Sequence, residues 1–219
     1  MKVLVFAPHP DDEVIGAGGT MAKHSLAGDE VDVCIVTKAY APDWPKEHPK
    51  VARREALAAG KALGVKSTKF LDFPTVKLNT VSTKALCDSF SEAVKASRPD
   101  VVYLPFPGDT NKDHAIVFEC GLVAARPYGE DAAKRVLAYE TITSSIFPGF
   151  TGPTFSPNVF VDIEKTLQSK LRAMRQYRSQ LLKWPNPRSI EGLTVLAKRR
   201  GMQVGLDAAE GFALVRETL

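Results

Sequence analysis

Strand-like apolar runs alternate with helical patterns from the first residues of the chain, and that rhythm narrows the possible folds more than any other feature. Lys2–Ala7 precedes a helical stretch over Asp12–Leu26, whose Gly16, Gly18 and Gly19 permit tight packing on a sheet. Ala27-Gly28-Asp29 turns into a second strand, Glu30–Thr37. Arg53–Leu63 is helical, with Ala56, Ala59 and Leu63 on one face and Gly64 as its stop. Ser67–Phe73, Asp100–Phe106 and Arg135–Ile142 read as further strands, and Ser82–Ala96 and Asp113–Ala125 as helices. Such alternation predicts an α/β fold with a mostly parallel sheet and helices on both faces.

The rest is less regular. Ala39–His48 and Phe147–Pro157 are rich in proline and aromatic residues and read as exposed loops. A short strand, Asn158–Ile163, and helices over Glu164–Leu182 and Ile190–Arg200 follow. Without a βα rhythm, residues 146–219 are expected to form smaller C-terminal cap elements on a core of residues 1–145. At 219 residues and 44% hydrophobic content, one domain spanning 1–219 has enough apolar material for a substantial core.

Several function classes drop out. A net charge of +4 is mild, and the one dense basic run, Lys198-Arg199-Arg200, ends a helical pattern, so nucleic acid is not expected as a partner. Cys34, Cys87 and Cys120 are odd in number and lack CxxC spacing, which fits buried free thiols. Met1-Lys2 precedes only five apolar residues, short for a signal peptide, and no stretch reaches about 18 apolar residues. The expectation is a cytoplasmic protein without a membrane span.

Chemistry concentrates in His9-Pro10-Asp11-Asp12-Glu13, directly after the first strand. An imidazole and two carboxylates in one turn repel and cannot pack a core unless a cation or proton joins them. His9 and Asp12 can ligate a divalent metal, leaving Asp11 beside it as an acid/base group. The bland alternative is a solvated helix start, where acids favour the dipole. A second cluster, Asp109-Thr110-Asn111-Lys112-Asp113-His114, follows the fourth strand. In the commonest doubly wound order the first and fourth strands are neighbours, and ligands bind at the crevice between their C-terminal ends.

His114 can supply a third ligand, giving two histidines, one carboxylate and an open position, as in catalytic zinc sites. Asp113 can orient a neighbouring side chain. His24 is expected on the surface of the first helix, and His48 in an exposed loop. Gly16-Ala17-Gly18-Gly19 comes about nine residues after the strand, too late for a dinucleotide turn. There is no GxxxxGK[ST] loop and no GxSxG elbow.

The chain resembles the PIG-L/LmbE family of zinc-dependent N-deacetylases. The residues carrying the resemblance are Ala7-Pro8-His9-Pro10-Asp11-Asp12-Glu13, Arg53-Arg54-Glu55-Ala56 with Leu63-Gly64-Val65, and Asp113-His114. It continues through Tyr139-Glu140, Val161-Asp162-Ile163, Tyr177-Arg178-Ser179-Gln180, Arg200-Gly201 and Ala209-Glu210-Gly211-Phe212. The resemblance implies a Rossmann-like fold and removal of an N-acetyl group from an N-acetylglucosamine-type sugar or conjugate. It makes His9, Asp12 and His114 the Zn2+ ligands and Asp11 the general base; two histidines and a carboxylate also suit Fe2+. It places a substrate-contacting arginine at Arg53 or Arg54.

Many relatives have a histidine where this chain has Asn111, three residues before the last ligand. Asparagine can donate a hydrogen bond to the developing oxyanion but brings no charge. Thr75 stands where an aspartate is common. The resemblance also implies a homo-oligomer, a hexamer or trimer. Trp44, in the first aromatic loop, is compatible with stacking on a small-molecule amino-sugar substrate. Two competing functions are a deacylase of longer-chain or non-sugar amides, and a lapsed enzyme that binds sugar around a structural metal. The carboxylate of Asp11 argues against the lapsed enzyme.

Overall fold

The computed structural model describes residues 1–129, 132–146 and 152–219. Among them one seven-stranded sheet runs in the order β3-β2-β1-β4-β5-β7-β6. The strands are β1 (Lys2–Ala7), β2 (Glu30–Lys38), β3 (Ser67–Pro74), β4 (Val101–Pro105), β5 (Arg135–Tyr139), β6 (Val159–Asp162) and β7 (Ala209–Glu217). The first five are parallel, and β7 is antiparallel to both β5 and β6.

One face of the sheet carries α1 (Asp12–Leu26), α2 (His48–Leu63), α6 (Leu167–Met174) and α7 (Ile190–Met202). The other carries α3 (Thr83–Ser97) and α4 (Lys112–Ala124), while α5 (Ile142–Ile146) is a short turn of helix after β5. Strand β1 shows why its sequence is unbroken in apolarity. Val3, Val5 and Ala7 enter the core beneath α1 and α2, and Leu4 and Phe6 enter the one beneath α3 and α4. A parallel strand with both faces covered has no polar side to show. Phe6 stacks on Phe90 of α3 with ring centroids 4.6 Å apart. On the opposite face, a Cβ on Gly16 would come within 2.1 Å of the Tyr139 ring, so only glycine lets α1 lie this close to β5.

Several boundaries differ from the sequence reading. Helix α2 begins at His48, not Arg53, because Pro49 falls in its first turn, where a missing N–H costs nothing. Helix α6 stops at Met174, not Leu182, and residues 164–166 form a 3-10 turn ahead of it. Strand β7 goes beyond the sequence reading. It inserts between β5 and β6, so the C-terminal residues enlarge the sheet as well as covering it. The Phe147–Pro157 loop falls partly outside the described residues, at 147–151. Among the described residues no helix is long and apolar enough to cross a membrane. All three cysteines are free; Cys34 and Cys120 are buried and Cys87 is half-buried.

Candidate active site

The site begins with an unusual backbone. Asp11 caps α1 at φ 112°, a left-handed conformation that costs a non-glycine residue roughly 1–3 kcal/mol. The chain holds it there through Glu13, whose Oε2 accepts from the Asp11 N–H at 3.2 Å. Tyr177 in turn donates its hydroxyl to Glu13 Oε1 at 2.5 Å. Burial pushes the Glu13 carboxyl up to about 7, against the pull of the Tyr177 hydrogen bond. The final residue of His9–Glu13 therefore shapes the turn rather than facing the cavity.

That turn brings His9, Asp12 and His114 together, with one donor atom from each within 4.8 Å of the others. His9 Nδ1 lies 3.1 Å and His114 Nε2 3.4 Å from Asp12 Oδ2. Ligands about 2.1 Å from a tetrahedral zinc stand about 3.4 Å apart, so the set fits such an ion. The outward ring nitrogens face carboxylates: His9 Nε2 lies 3.1 Å from Asp113 Oδ2, and His114 Nδ1 lies 3.2 Å from Asp109 Oδ2. The second pair is close but not aligned as a hydrogen bond. Carboxylates behind imidazoles orient the rings and raise their basicity. The role of Asp109 escaped the sequence reading; its place five residues before His114 was the available signal.

Burial disfavours charge on both rings, yet neighbouring carboxylates win. Asp113 and Asp12 carry His9 up to about 9, and Asp12 and Asp109 carry His114 up to about 10. Asp12, despite its burial, is held well below the usual carboxylate range by His114 and His9. Both imidazoles of the metal-free protein are thus protonated at neutral pH. Their contribution to its stability is full below pH 6.5 and is lost as pH rises through about 9–10.

A divalent ion needs neutral imidazoles, so binding expels protons and affinity climbs with pH, approaching about a hundredfold per unit when two are released. Calorimetric titration of metal at pH 7 in two buffers of different ionisation enthalpy is expected to show more than one proton released. Fewer than one would mean that at least one ring is already neutral.

Asn111 plays a local part. Its Oδ1 accepts from Asp113 N at 3.1 Å, capping α4, while its own N–H donates to Asp109 Oδ1 at 2.8 Å. The side chain also borders the cavity, but its carbonyl is committed to the cap. Asp113 accepts from the backbone N–H groups of Val76 and Leu78 as well as facing His9, and so ties the segment after β3 to the site.

The cavity has a volume of about 480 Å³. His9, Asp11, Asp12 and His114 line it, with Trp44, His48, Arg53, Thr75 and Arg188 around them. Arg53 Nη2 donates to both carboxylate oxygens of Asp72 (2.6 and 2.8 Å), and its guanidinium lies over the Phe70 ring at 4.3 Å. Arg54 is exposed and is not among the lining residues. Two histidines differ from expectation. His48 is half-buried at the cavity wall, because α2 starts there. His24 is half-buried between Asp29 (2.7 Å) and the Tyr103 hydroxyl (3.1 Å), far along α1 from the site.

Asp11 has its Oδ2 buried with no hydrogen-bond partner among the described residues. Burial and the charge of Asp12 raise its pKa well above the ordinary value, partly opposed by Arg188.

The family described as PIG-L: GlcNAc-PI de-N-acetylase matches residues 4–125, more than half of the chain. The chain belongs to the PIG-L family. It is 32% identical over 189 residues to the diacetylchitobiose deacetylase of Thermococcus kodakarensis, covering 82% of this chain and 70% of that protein. Among solved structures, the conserved protein TT1542 from Thermus thermophilus superposes with a TM-score of 0.82 at 26% identity, covering all of this chain and 96% of that one. The N,N'-diacetylchitobiose deacetylase of Pyrococcus horikoshii, solved with its inhibitor MPG, gives a TM-score of 0.77 at 26% identity, covering 98% and 83%.

Other residues that carry the resemblance brace the scaffold. Glu55 accepts from the backbone N–H and hydroxyl of Ser179, and Glu140 pairs with Arg200 through both oxygens.

Proposed function

We propose that this chain is a metal-dependent hydrolase that removes the N-acetyl group from an N-acetylglucosamine-type sugar or conjugate. The observation that carries this reading is the His9–Asp12–His114 set beside the buried Oδ2 of Asp11, which accepts no hydrogen bond among the described residues. A divalent cation bound there supplies a Lewis acid that polarises an amide carbonyl and lowers the pKa of water towards about 7. Asp11 accepts the proton as the water oxygen bonds to the acyl carbon. The C–N bond then breaks, Asp11 passes the proton to the leaving nitrogen, and acetate and the free amine depart. A carboxyl whose pKa is raised by burial suits a group that must first take and then give a proton.

Asp113 and Asp109 keep the two imidazoles aimed, and Trp44 offers a flat surface for a sugar ring. The Arg53–Asp72 pair presents hydrogen-bonding edges with its charge internally balanced. Zinc is the proposed cation, since hydrolysis needs no redox change and the nitrogen and oxygen donors suit it; iron(II) accepts the same set. A homo-oligomer, suggested by the family resemblance, and a cytoplasmic setting, suggested by the free cysteines, belong to the same proposal.

The test is a release assay on protein purified without chelators and analysed for metal, over N-acetylglucosamine, its α-linked conjugates, chito-oligomers and long-chain N-acyl analogues. Acetate and free amine are expected in equal amounts from at least one acetylated sugar. Hydrolysis of long-chain amides alone would overturn the acetyl assignment.

A further inference from the structure

Arg188 is the cation nearest the proposed base and has no assigned role. Its Nη1 lies 3.7 Å from Asp11 Oδ2, and its side chain lines the same cavity. None of its guanidinium N–H groups makes a hydrogen bond among the described residues. The other arginine and the lysine of the cavity wall are engaged elsewhere: Arg53 with Asp72, and Lys38 over the Tyr40 ring at 4.8 Å. Asn111, which also borders the cavity, has no charge and spends its carbonyl on the α4 cap.

The segment that carries Arg188 is pinned at several points. Its N–H donates to Asn186 Oδ1 at 2.9 Å, and its carbonyl accepts from Leu182 N at 3.3 Å. The next residue, Ser189, is fully buried and caps α7 through Gly192 N at 2.9 Å. The backbone that carries the guanidinium is therefore fixed at the cavity wall, and the guanidinium donors are unspent among the described residues.

We propose that Arg188 is a catalytic residue of this chain. Its guanidinium donates to the acyl oxygen of the substrate and stabilises the negative charge that this oxygen acquires as water adds to the carbon. The proposal rests on the deacetylase reading above. A fixed cation at that point favours the charged transition state over the neutral amide, so its effect falls on turnover.

The test compares wild type with Arg188→Met and Arg188→Lys after metal content has been matched. Arg188→Met is expected to lower kcat by about a hundredfold with KM within about threefold, and Arg188→Lys to recover part of the loss. On an N-trifluoroacetyl substrate the loss should shrink below about tenfold, because fluorine already stabilises the oxyanion. Methylphosphonate, a tetrahedral anion titrated by calorimetry, should bind Arg188→Met at least about tenfold more weakly than wild type.

An unchanged kcat, a rise confined to KM, or an unchanged methylphosphonate affinity would overturn the proposal. If wild type releases acetate from no acetylated amino sugar, the deacetylase reading falls. The methylphosphonate comparison then still decides on Arg188, and a wild type that does not bind the anion counts against it.

Discussion

Replacing Asp11 by asparagine is expected to lower turnover by about a hundredfold or more while leaving metal content unchanged. The side chains are nearly the same size, and asparagine tolerates the left-handed backbone that Asp11 adopts at φ 112°. The Glu13 carboxylate that receives the Asp11 N–H is untouched. What disappears is the proton acceptor, the role proposed for Asp11. Steady-state kinetics with metal analysis of the same preparation give the answer. Full activity would place the base elsewhere, and loss of metal would make Asp11 a ligand.

The second large effect concerns stability. Glu210 and Lys170 are almost completely buried, with Nζ 2.6 Å from Oε1. The carboxylate also accepts from the N–H groups of Gly19 and Thr20, at 2.9 and 2.7 Å. Truncation to alanine strands a buried ammonium, whose remaining partner is the Ile15 carbonyl, and removes the carboxylate that receives two α1 amides. Removing one partner of a buried pair costs about 3–5 kcal/mol. Urea unfolding of Glu210→Ala should register that loss, and the double variant Lys170→Met/Glu210→Leu should regain a good part of it. A loss below about 1 kcal/mol would mean that water enters and solvates Lys170.

The parallel core was legible because its strands are buried on both faces. Val3–Ala7 and Val101–Leu104 carry unbroken apolar side chains, a pattern that survives without any knowledge of partners. Strand β7 was hidden for the opposite reason. Glu210 and Gly211 interrupt its apolar pattern, and Glu210 belongs inside only because Lys170 and the α1 amides meet it there. Helix α6 is shorter than its sequence pattern because side-chain demands end it. Tyr177 must reach Glu13, and Ser179 must reach Glu55, which bends the chain out of helical register.

At the site, His9, Asp11, Asp12 and His114 stood out through the clash of their types within one turn or at one strand end. Asp109 and Arg188 did not. An acid in a polar loop and an arginine in Trp184-Pro185-Asn186-Pro187-Arg188 look like ordinary surface until the chain brings them beside an imidazole and a carboxylate.

The bonds from Gly19 and Thr20 to Glu210 join residues 191 and 190 positions apart. On a ribosome, a chain that has already displayed His9 through Glu13 still lacks the carboxylate that locks α1 until about 190 further residues have been made. Contacts of such separation form late and slowly. The nascent protein is thus expected to display His9 through Glu13 in the right order throughout that interval without the support that holds them in place.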